Sequence, residues 1–262
     1  MTSPILLEVR GRIATLTLNR PDRLNALVPE MKEGFEEALA KAAEPGVKAL
    51  FLRGEGRAFC AGGDIGWLAK ALSEERWNEL EALLDLGTAV AYGLATLPKP
   101  VVAVVHGPAA GAGMSLALDA DLRIATPGAL FSMAFVKIGL HPDWGGSVGL
   151  SRLVNPSVAA ELMLTGDAID AARAQALGLV NQIVPADQLE AALEALGRRL
   201  AVGPAETFAR IKATLLRNQG LDAEGLRARL DAEGAQMKAA MRHPDAREGL
   251  AAFLEKRTPR FA

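Results

Sequence analysis

Arg57-Ala58-Phe59-Cys60-Ala61-Gly62-Gly63-Asp64-Ile65 is a glycine-rich stretch with no hydrophobic period, so it reads as a loop. It follows a buried-strand candidate at 47–52 and leads into a helix near Trp67. A second such stretch, Gly107-Pro108-Ala109-Ala110-Gly111-Ala112-Gly113-Met114-Ser115, follows the five-residue apolar run 101–105 and opens a helix over 114–118. Small residues let a ligand come close to the backbone. A helix start leaves amides unpaired and carries partial positive charge. Two such N–H groups aimed at one point would stabilise a negative oxygen. The competing reading is two tight strand-to-helix turns whose small residues serve packing alone. Neither stretch ends in the Gly-Lys-Ser/Thr of a phosphate loop, and neither fits the dinucleotide fingerprint.

Outward from these loops, short strands alternate with helices. Residues 5–9 and 13–18 flank Gly11-Arg12 and predict a hairpin. Met31, Phe35, Ala38 and Leu39 place one apolar face on a helix over 29–43, stopped by Pro45-Gly46. Residues 73–97 are Pro-free and amphipathic and predict one long helix starting at Ser73. Strands are expected at 121–125 and 179–184, with Leu130-Phe131 between turns. A third loop spans 139–146, and helix resumes over 147–154. From Asp187 the pattern is helical, punctuated at Gly203-Pro204, Gly220 and His243-Pro244. An α/β core with a helical C-terminal appendage follows, divided as 1–195 and 196–262.

The chain has 262 residues, half of them apolar and 23% charged, with a net charge of −2. That is ordinary for a soluble globular protein and lacks the basic footprint of a nucleic-acid binder. No stretch offers the roughly 20 apolar residues of a membrane span. Met1-Thr2-Ser3-Pro4 does not begin a secretory signal. The single cysteine, Cys60, allows no intrachain disulfide, which suits a cytoplasmic setting.

Four landmarks together resemble the enoyl-CoA hydratase/isomerase (crotonase) superfamily. Ala-Phe-Cys-Ala-Gly-Gly-Asp-Ile at 58–65 looks like its first oxyanion loop, and His106-Gly107 through Asp121 like its second. Asn19-Arg20-Pro21 with Leu24-Asn25-Ala26-Leu27 resembles its N-terminal signature; Phe253-Leu254-Glu255-Lys256-Arg257 with Pro259 and Phe261 resembles its C-terminal one. The resemblance implies a spiral of ββα units with a C-terminal helical trimerisation region, assembled as a homotrimer or a hexamer made of two trimers. It implies an acyl-CoA thioester substrate and no separate cofactor, since coenzyme A is part of the substrate. Carried over, the oxyanion donors are the amides of Ala61 and Ala112. Arg23 lies near the CoA phosphates and Ala61, Gly62, Gly63 and Asp64 along adenine and pantetheine, with Leu24 and Ile65 also among the residues that bind substrate or CoA. Gly111 belongs to the second loop. Phe253 and Lys256 approach the nucleotide of a neighbouring subunit. For Arg23 and Lys256, plain surface charge is the simpler alternative.

Hydration in this family uses two glutamates, and the matching positions here are Ser115 and Phe135. Neither side chain exchanges protons usefully near neutral pH. One acid remains in the region, Asp143, in Gly139-Leu140-His141-Pro142-Asp143-Trp144-Gly145-Gly146. The stretch from Ala134 to Asp143, with Ala109 to Gly113, resembles the epoxyphenylacetyl-CoA isomerase branch of aerobic phenylacetate degradation, which also moves double bonds in enoyl-CoA chains. This implies that Asp143 takes a proton from the substrate and returns it elsewhere, with Phe135 and Trp144 raising its proton affinity by burial. The alternatives are an enoyl-CoA hydratase, a nucleophilic Asp143 as in an aryl-CoA dehalogenase, a non-catalytic acyl-CoA-binding protein, and an Asp143 that merely caps the next helix. His106, His141 and His243 have no metal-ligand spacing, although His141 could line a pocket. Ser115 has no His–Asp relay, and Cys60 reads as a small packed hydrophobe.

Overall fold

The computed structural model describes residues 3–262, so Met1 and Thr2, on which the reading of the N-terminus partly rests, lie outside the described residues. Strands β1 (Ile5–Arg10) and β2 (Ile13–Leu18) form the expected hairpin, pairing Ile5 with Leu18 and Arg10 with Ile13. Its two turn residues, Gly11 and Arg12, both have positive φ, the geometry that matches the twist of paired strands. β3 (Ala49–Gly54), β4 (Val101–Val105), a strand at Leu122–Ala125 and one at Gln182–Ile183 then add in parallel to complete a six-stranded sheet.

Alternation along β3 explains why residues 49–52 and the whole of β4 are apolar. Leu50 and Leu52 join the main core with Val101, Ala103 and Val105, while Ala49 and Phe51 join a second cluster with Val102, Val104, Leu189 and Leu193. Both faces are covered, so a polar residue enters only with a partner: Arg53 at the end of β3 pairs with Glu190, and the buried Arg123 donates to the Leu179 carbonyl. A helix at Leu189–Ala201 covers the second face. The division expected between 195 and 196 falls inside this helix, because its Leu189, Leu193 and Leu200 pack on the sheet.

Two helices follow the first loop, as expected, but the second starts later than Ser73. After α1 (Lys32–Ala43) come α2 (Ile65–Ser73) and α3 (Trp77–Thr96), broken at Glu75, whose φ is 53°. Ser73 does not start a helix; it closes α2 and donates its hydroxyl to the Lys70 carbonyl. The cap of α2 is Asp64, whose carboxylate accepts the Trp67 amide. The second loop holds a short strand, β5 (Pro108–Ala110), before α4 (Ala112–Leu118). After β6 (Leu122–Ala125), Leu130 and Phe131 lie between turns as expected, and there they form β7 (Leu130–Ser132), which pairs with β5 and with β8 (Ile169–Asp170) in a second sheet.

A 3-10 turn at Ala134–Ile138 leads to the third loop and α5 (Gly146–Leu153). α6 (Pro156–Thr165) and α7 (Ala171–Ala176) were not evident from periodicity. The strand expected over 179–184 is only β9 (Gln182–Ile183), ahead of α8 (Leu189–Ala201). α8, α9 (Ala205–Asn218) and α10 (Ala223–Arg242) end where the sequence is punctuated, and α11 (Pro244–Glu255) begins at Pro244. α10 and α11 fold back onto the core: Met237, Met241, Ala246 and Leu250 belong to the same cluster as β3 and β4. No helix among the described residues is long and apolar enough to cross a membrane.

Candidate active site

The two glycine-rich loops lie side by side. Cys60 bridges to Ala109, and the Ala110 amide donates to the Cys60 carbonyl at 2.9 Å. Gly113 makes this approach possible, because a Cβ there would lie 2.1 Å from the Cys60 oxygen. Gly62 has φ 93°, and a Cβ on it would sit 2.8 Å from the Ala110 oxygen and 3.5 Å from the Ala112 nitrogen. The start of α4 therefore abuts Gly62. Ala112 is the first residue of that helix, and its cap, Gly111, offers no side chain.

Which amides of the first loop are free follows from its pairing with residues 24–27. The Ala61 amide donates to the Leu24 carbonyl at 2.9 Å, so the expectation that Ala61 supplies an oxyanion donor does not hold. Leu27 donates to Gly62 at 2.7 Å, and Asp64 donates to Leu27 at 3.0 Å. Gly63 lies between these two bonds, so its N–H faces away from Leu27, and no acceptor for it is found among the described residues. The free pair is Gly63 with Ala112.

Two residues outside the expected site brace this loop. Asn25 is fully buried at φ 58°; its Nδ2 donates to the Glu55 and Ala58 carbonyls, and its Oδ1 accepts the Arg20 amide. Arg20 pairs with Asp64 at 2.9 Å. Burial works to raise the Asp64 proton affinity, but the Arg20 hydrogen bond, the Trp67 amide and the charge of Arg23 hold it below the ordinary value. Asp64 thus acts as a cap and a tie. Cys60 is completely buried, and desolvation pushes its thiol up to about 12. It is packed and unreactive.

Gly63 and Ala112 open on a cavity of about 310 Å³. Leu27, Ile65 and Leu68 line one side; Leu80, Leu83 and Leu84 of α3 and Met237 and Met241 of α10 line the other. Gly111, Phe135, Asp143 and Trp144 complete the wall, and Phe253 of this same chain stands at the cavity while 59% exposed. The expectation for Phe253 concerned a neighbouring subunit. Arg23 and Lys256 are exposed and do not line the cavity, and Leu24 contributes its carbonyl to the first loop. Lys137 lines the cavity and reaches Asp167 at 3.4 Å. His141 is turned to the Pro142 carbonyl, away from the cavity.

Asp143 is 7% exposed, and its Oδ1 has no hydrogen-bond partner among the described residues. Burial first, then the charge of Glu233, push its carboxyl well above the usual range. It is not the cap of the following helix: α5 begins at Gly146, and only the Asp143 backbone oxygen takes part, accepting the Gly146 amide. Ser115 does not line the cavity. Its hydroxyl donates to the Gly111 carbonyl at 3.3 Å and rests against Gly146, where a Cβ would meet it at 2.3 Å. The Phe135 ring lies over Gly111, and Trp144, at φ 52°, packs edge-to-face on Phe35.

The site is thus a pair of free amides, one unpaired carboxyl and an apolar wall. The sequence model of the enoyl-CoA hydratase/isomerase family matches residues 8–262. The 1,2-epoxyphenylacetyl-CoA isomerase of Escherichia coli K12 is 38% identical over 98% of this chain and 97% of its own. The trans-2-decenoyl-[acyl-carrier-protein] isomerase of Streptococcus mutans is 31% identical over 98% of this chain and 97% of its own. Among solved structures, an enoyl-CoA hydratase from Mycobacterium avium subsp. paratuberculosis superposes with a TM-score of 0.88, at 34% identity, covering 100% of both chains.

Proposed function

The chain belongs to the enoyl-CoA hydratase/isomerase family, and from that premise we propose that it is an isomerase that moves a double bond along an acyl thioester. The observation that carries this reading is the Asp143 carboxyl, buried at the cavity wall with Oδ1 unpaired, while Ser115 is turned away. A 3-enoyl thioester serves as the example. Ionised Asp143 removes a proton from C2; the C–H pair becomes the C1–C2 double bond, and charge moves to the thioester oxygen. The Gly63 and Ala112 amides hold that oxygen. Protonated Asp143 then delivers the proton to C4, and the electrons settle as a C2–C3 double bond conjugated to the thioester. One carboxyl thus serves as base and then acid, and no water is consumed. Removing one such amide donor typically costs about 3 kcal/mol of transition-state stabilisation.

Two-carboxylate hydration has less support, because Asp143 is the one acid lining the cavity among the described residues. The apolar wall suits an acyl group without charge, whether an aliphatic chain or a ring. The homotrimer or hexamer remains part of this proposal; it is supported by α9, which buries none of its residues and leaves Ile211 and Leu215 half-exposed.

The test is incubation with a trans-3-enoyl-CoA, following the conjugated thioester chromophore, with Asp143→Asn alongside. Isomerisation by the natural protein and loss in the variant supports the reading. Hydration of a trans-2-enoyl-CoA without isomerisation overturns it in favour of a hydratase. Binding of CoA with no proton exchange at any acyl carbon points to a non-catalytic carrier.

A further inference from the structure

Behind the cavity wall, the turn carrying Asp143 rests on a side chain from a distant part of the chain. Glu233 of α10 is 5% exposed. Its Oε1 accepts the Gly145 amide at 2.7 Å, and its Oε2 accepts the amides of Ser147 at 2.8 Å and Val148 at 3.3 Å, together with the Ser147 hydroxyl. These are the amides that α5 cannot pair for itself, and its cap residue, Gly145, has no side chain to offer. Glu233 caps α5 from another helix. The turn needs such a hold: Trp144 and Gly145 are successive residues of positive φ, at 52° and 74°, and a non-glycine residue stays there only when its surroundings fix it.

We propose that Glu233 is a positioning residue for Asp143: it clamps the 143–147 turn so that Asp143 lines the cavity, and its own carboxylate is held directly behind that turn. The proposal rests on the reading of Asp143 as the proton shuttle.

Three carboxyls crowd this turn, and burial makes it costly for all to ionise. Asp119, at the end of α4, is the third: a Cβ on Gly145 would lie 2.6 Å from its Oδ1, and its Oδ2 has no partner. The anion settles where donors converge, and only Glu233 has them. Burial raises Glu233 as well, but the Ser147 hydroxyl and the three amides oppose that. Asp119, by contrast, is raised well above the usual range by burial and by Glu233, against the pull of Arg152 and Arg123.

The other charged groups nearby are engaged elsewhere. Lys137 faces Asp167; Lys238 and Arg242 of α10 pair with Glu81 and Asp85 of α3; on α11, Arg247 pairs with Glu75, Glu248 with Arg257, and His243 lies 3.3 Å from Asp245. No cation is paired with Glu233 among the described residues, so its charge acts on Asp143 unneutralised.

The test is an infrared pH titration of the carboxyl stretch of protonated Asp143, assigned by difference against Asp143→Asn. In Glu233→Gln the Asp143 signal is expected to titrate about one pH unit lower than in the natural protein, as removal of a nearby like charge requires. An unchanged titration in a folded variant overturns the proposal. Should Glu233→Gln fail to fold, the coupling is read in reverse. Like charges that repel raise each other's proton affinity equally, so in 13C-glutamate-labelled protein the carboxylate stretch of ionised Glu233 must show a second step at the pH where Asp143 ionises, and Asp143→Asn must abolish it. Absence of that step in the natural protein overturns the proposal as well. With activity measured in parallel, Glu233→Gln is expected to lower kcat and shift its acid limb to lower pH, with KM little changed. A natural protein that fails to isomerise counts against the shuttle reading, while the infrared result stands on its own.

Discussion

The Leu24 carbonyl accepts the Ala61 amide hydrogen at 2.9 Å, and this bond fixes which amides of the first loop can reach a ligand. Alternate residues of a paired segment face opposite ways, so committing Ala61 toward 24–27 leaves Gly63 facing the cavity. The first donor of the proposed oxyanion pair is therefore two residues beyond the one that the resemblance suggested, while Ala112 stays.

Ala112→Pro tests that pair. Proline is well accepted at the first position of a helix and has no N–H to give. Far-ultraviolet circular dichroism should show α4 and the remaining helices intact, while kcat falls by about 10²–10³-fold. A rate within twofold of the natural protein would falsify the role of the Ala112 amide.

Asp143→Asn should reduce isomerisation by about 10²–10⁴-fold with little change in substrate affinity, since the amides and the apolar wall remain. Steady-state kinetics with a 3-enoyl thioester and direct binding of a saturated acyl-CoA separate the two effects.

Stability should decline as pH rises from the ordinary carboxyl range through neutrality. Asp119, Asp143 and Glu233 are all raised in the folded state, so between their unfolded and folded values the native protein holds more protons than the unfolded chain. Stability is then fully present below the unfolded values and is lost as pH climbs through the folded ones. Melting temperatures recorded from pH 5 to 9 should show this slope, and Asp119→Asn should flatten it. A melting temperature that rises with pH would refute the assignment.

Gly87 of α3 sits under the Trp144 ring, where a Cβ would lie 2.5 Å from ring atoms. Gly87→Ala must push the indole aside, at a cost of about 1–3 kcal/mol for overpacking. Because Trp144 follows Asp143, kcat should drop with stability. Chemical denaturation together with tryptophan fluorescence checks both.

Asn25→Ala would leave the Glu55 and Ala58 carbonyls and the Arg20 amide without their side-chain partner. An orphaned buried group costs roughly 1–3 kcal/mol, so this variant should unfold at markedly lower denaturant concentration.

Much of this was legible in the sequence. The apolar runs at 47–52 and 101–105 announced strands covered on both faces, and the two glycine-rich loops announced the site. Asp143 stood out as the lone acid of an apolar loop. The choice of Gly63 over Ala61 was not legible, because it depends on the register of a bridge to Leu27, a segment some 35 residues away. Glu233 was hidden for the same reason: nothing in the helical pattern of α10 distinguishes an acid that meets α5 from one that meets water. The sequence puts the break between α2 and α3 at Ser73, short of Glu75, because apolar periodicity runs on through 65–97 and does not mark where the backbone turns.

Glu233 and Gly145 are 88 positions apart, and the acid belongs to the last quarter of the chain. During synthesis the sheet and both glycine-rich loops emerge well before α10 does. The catalytic turn cannot take its final form until the helix that caps it has left the ribosome. The nascent chain should therefore lack the proposed isomerase activity until α10 has been made.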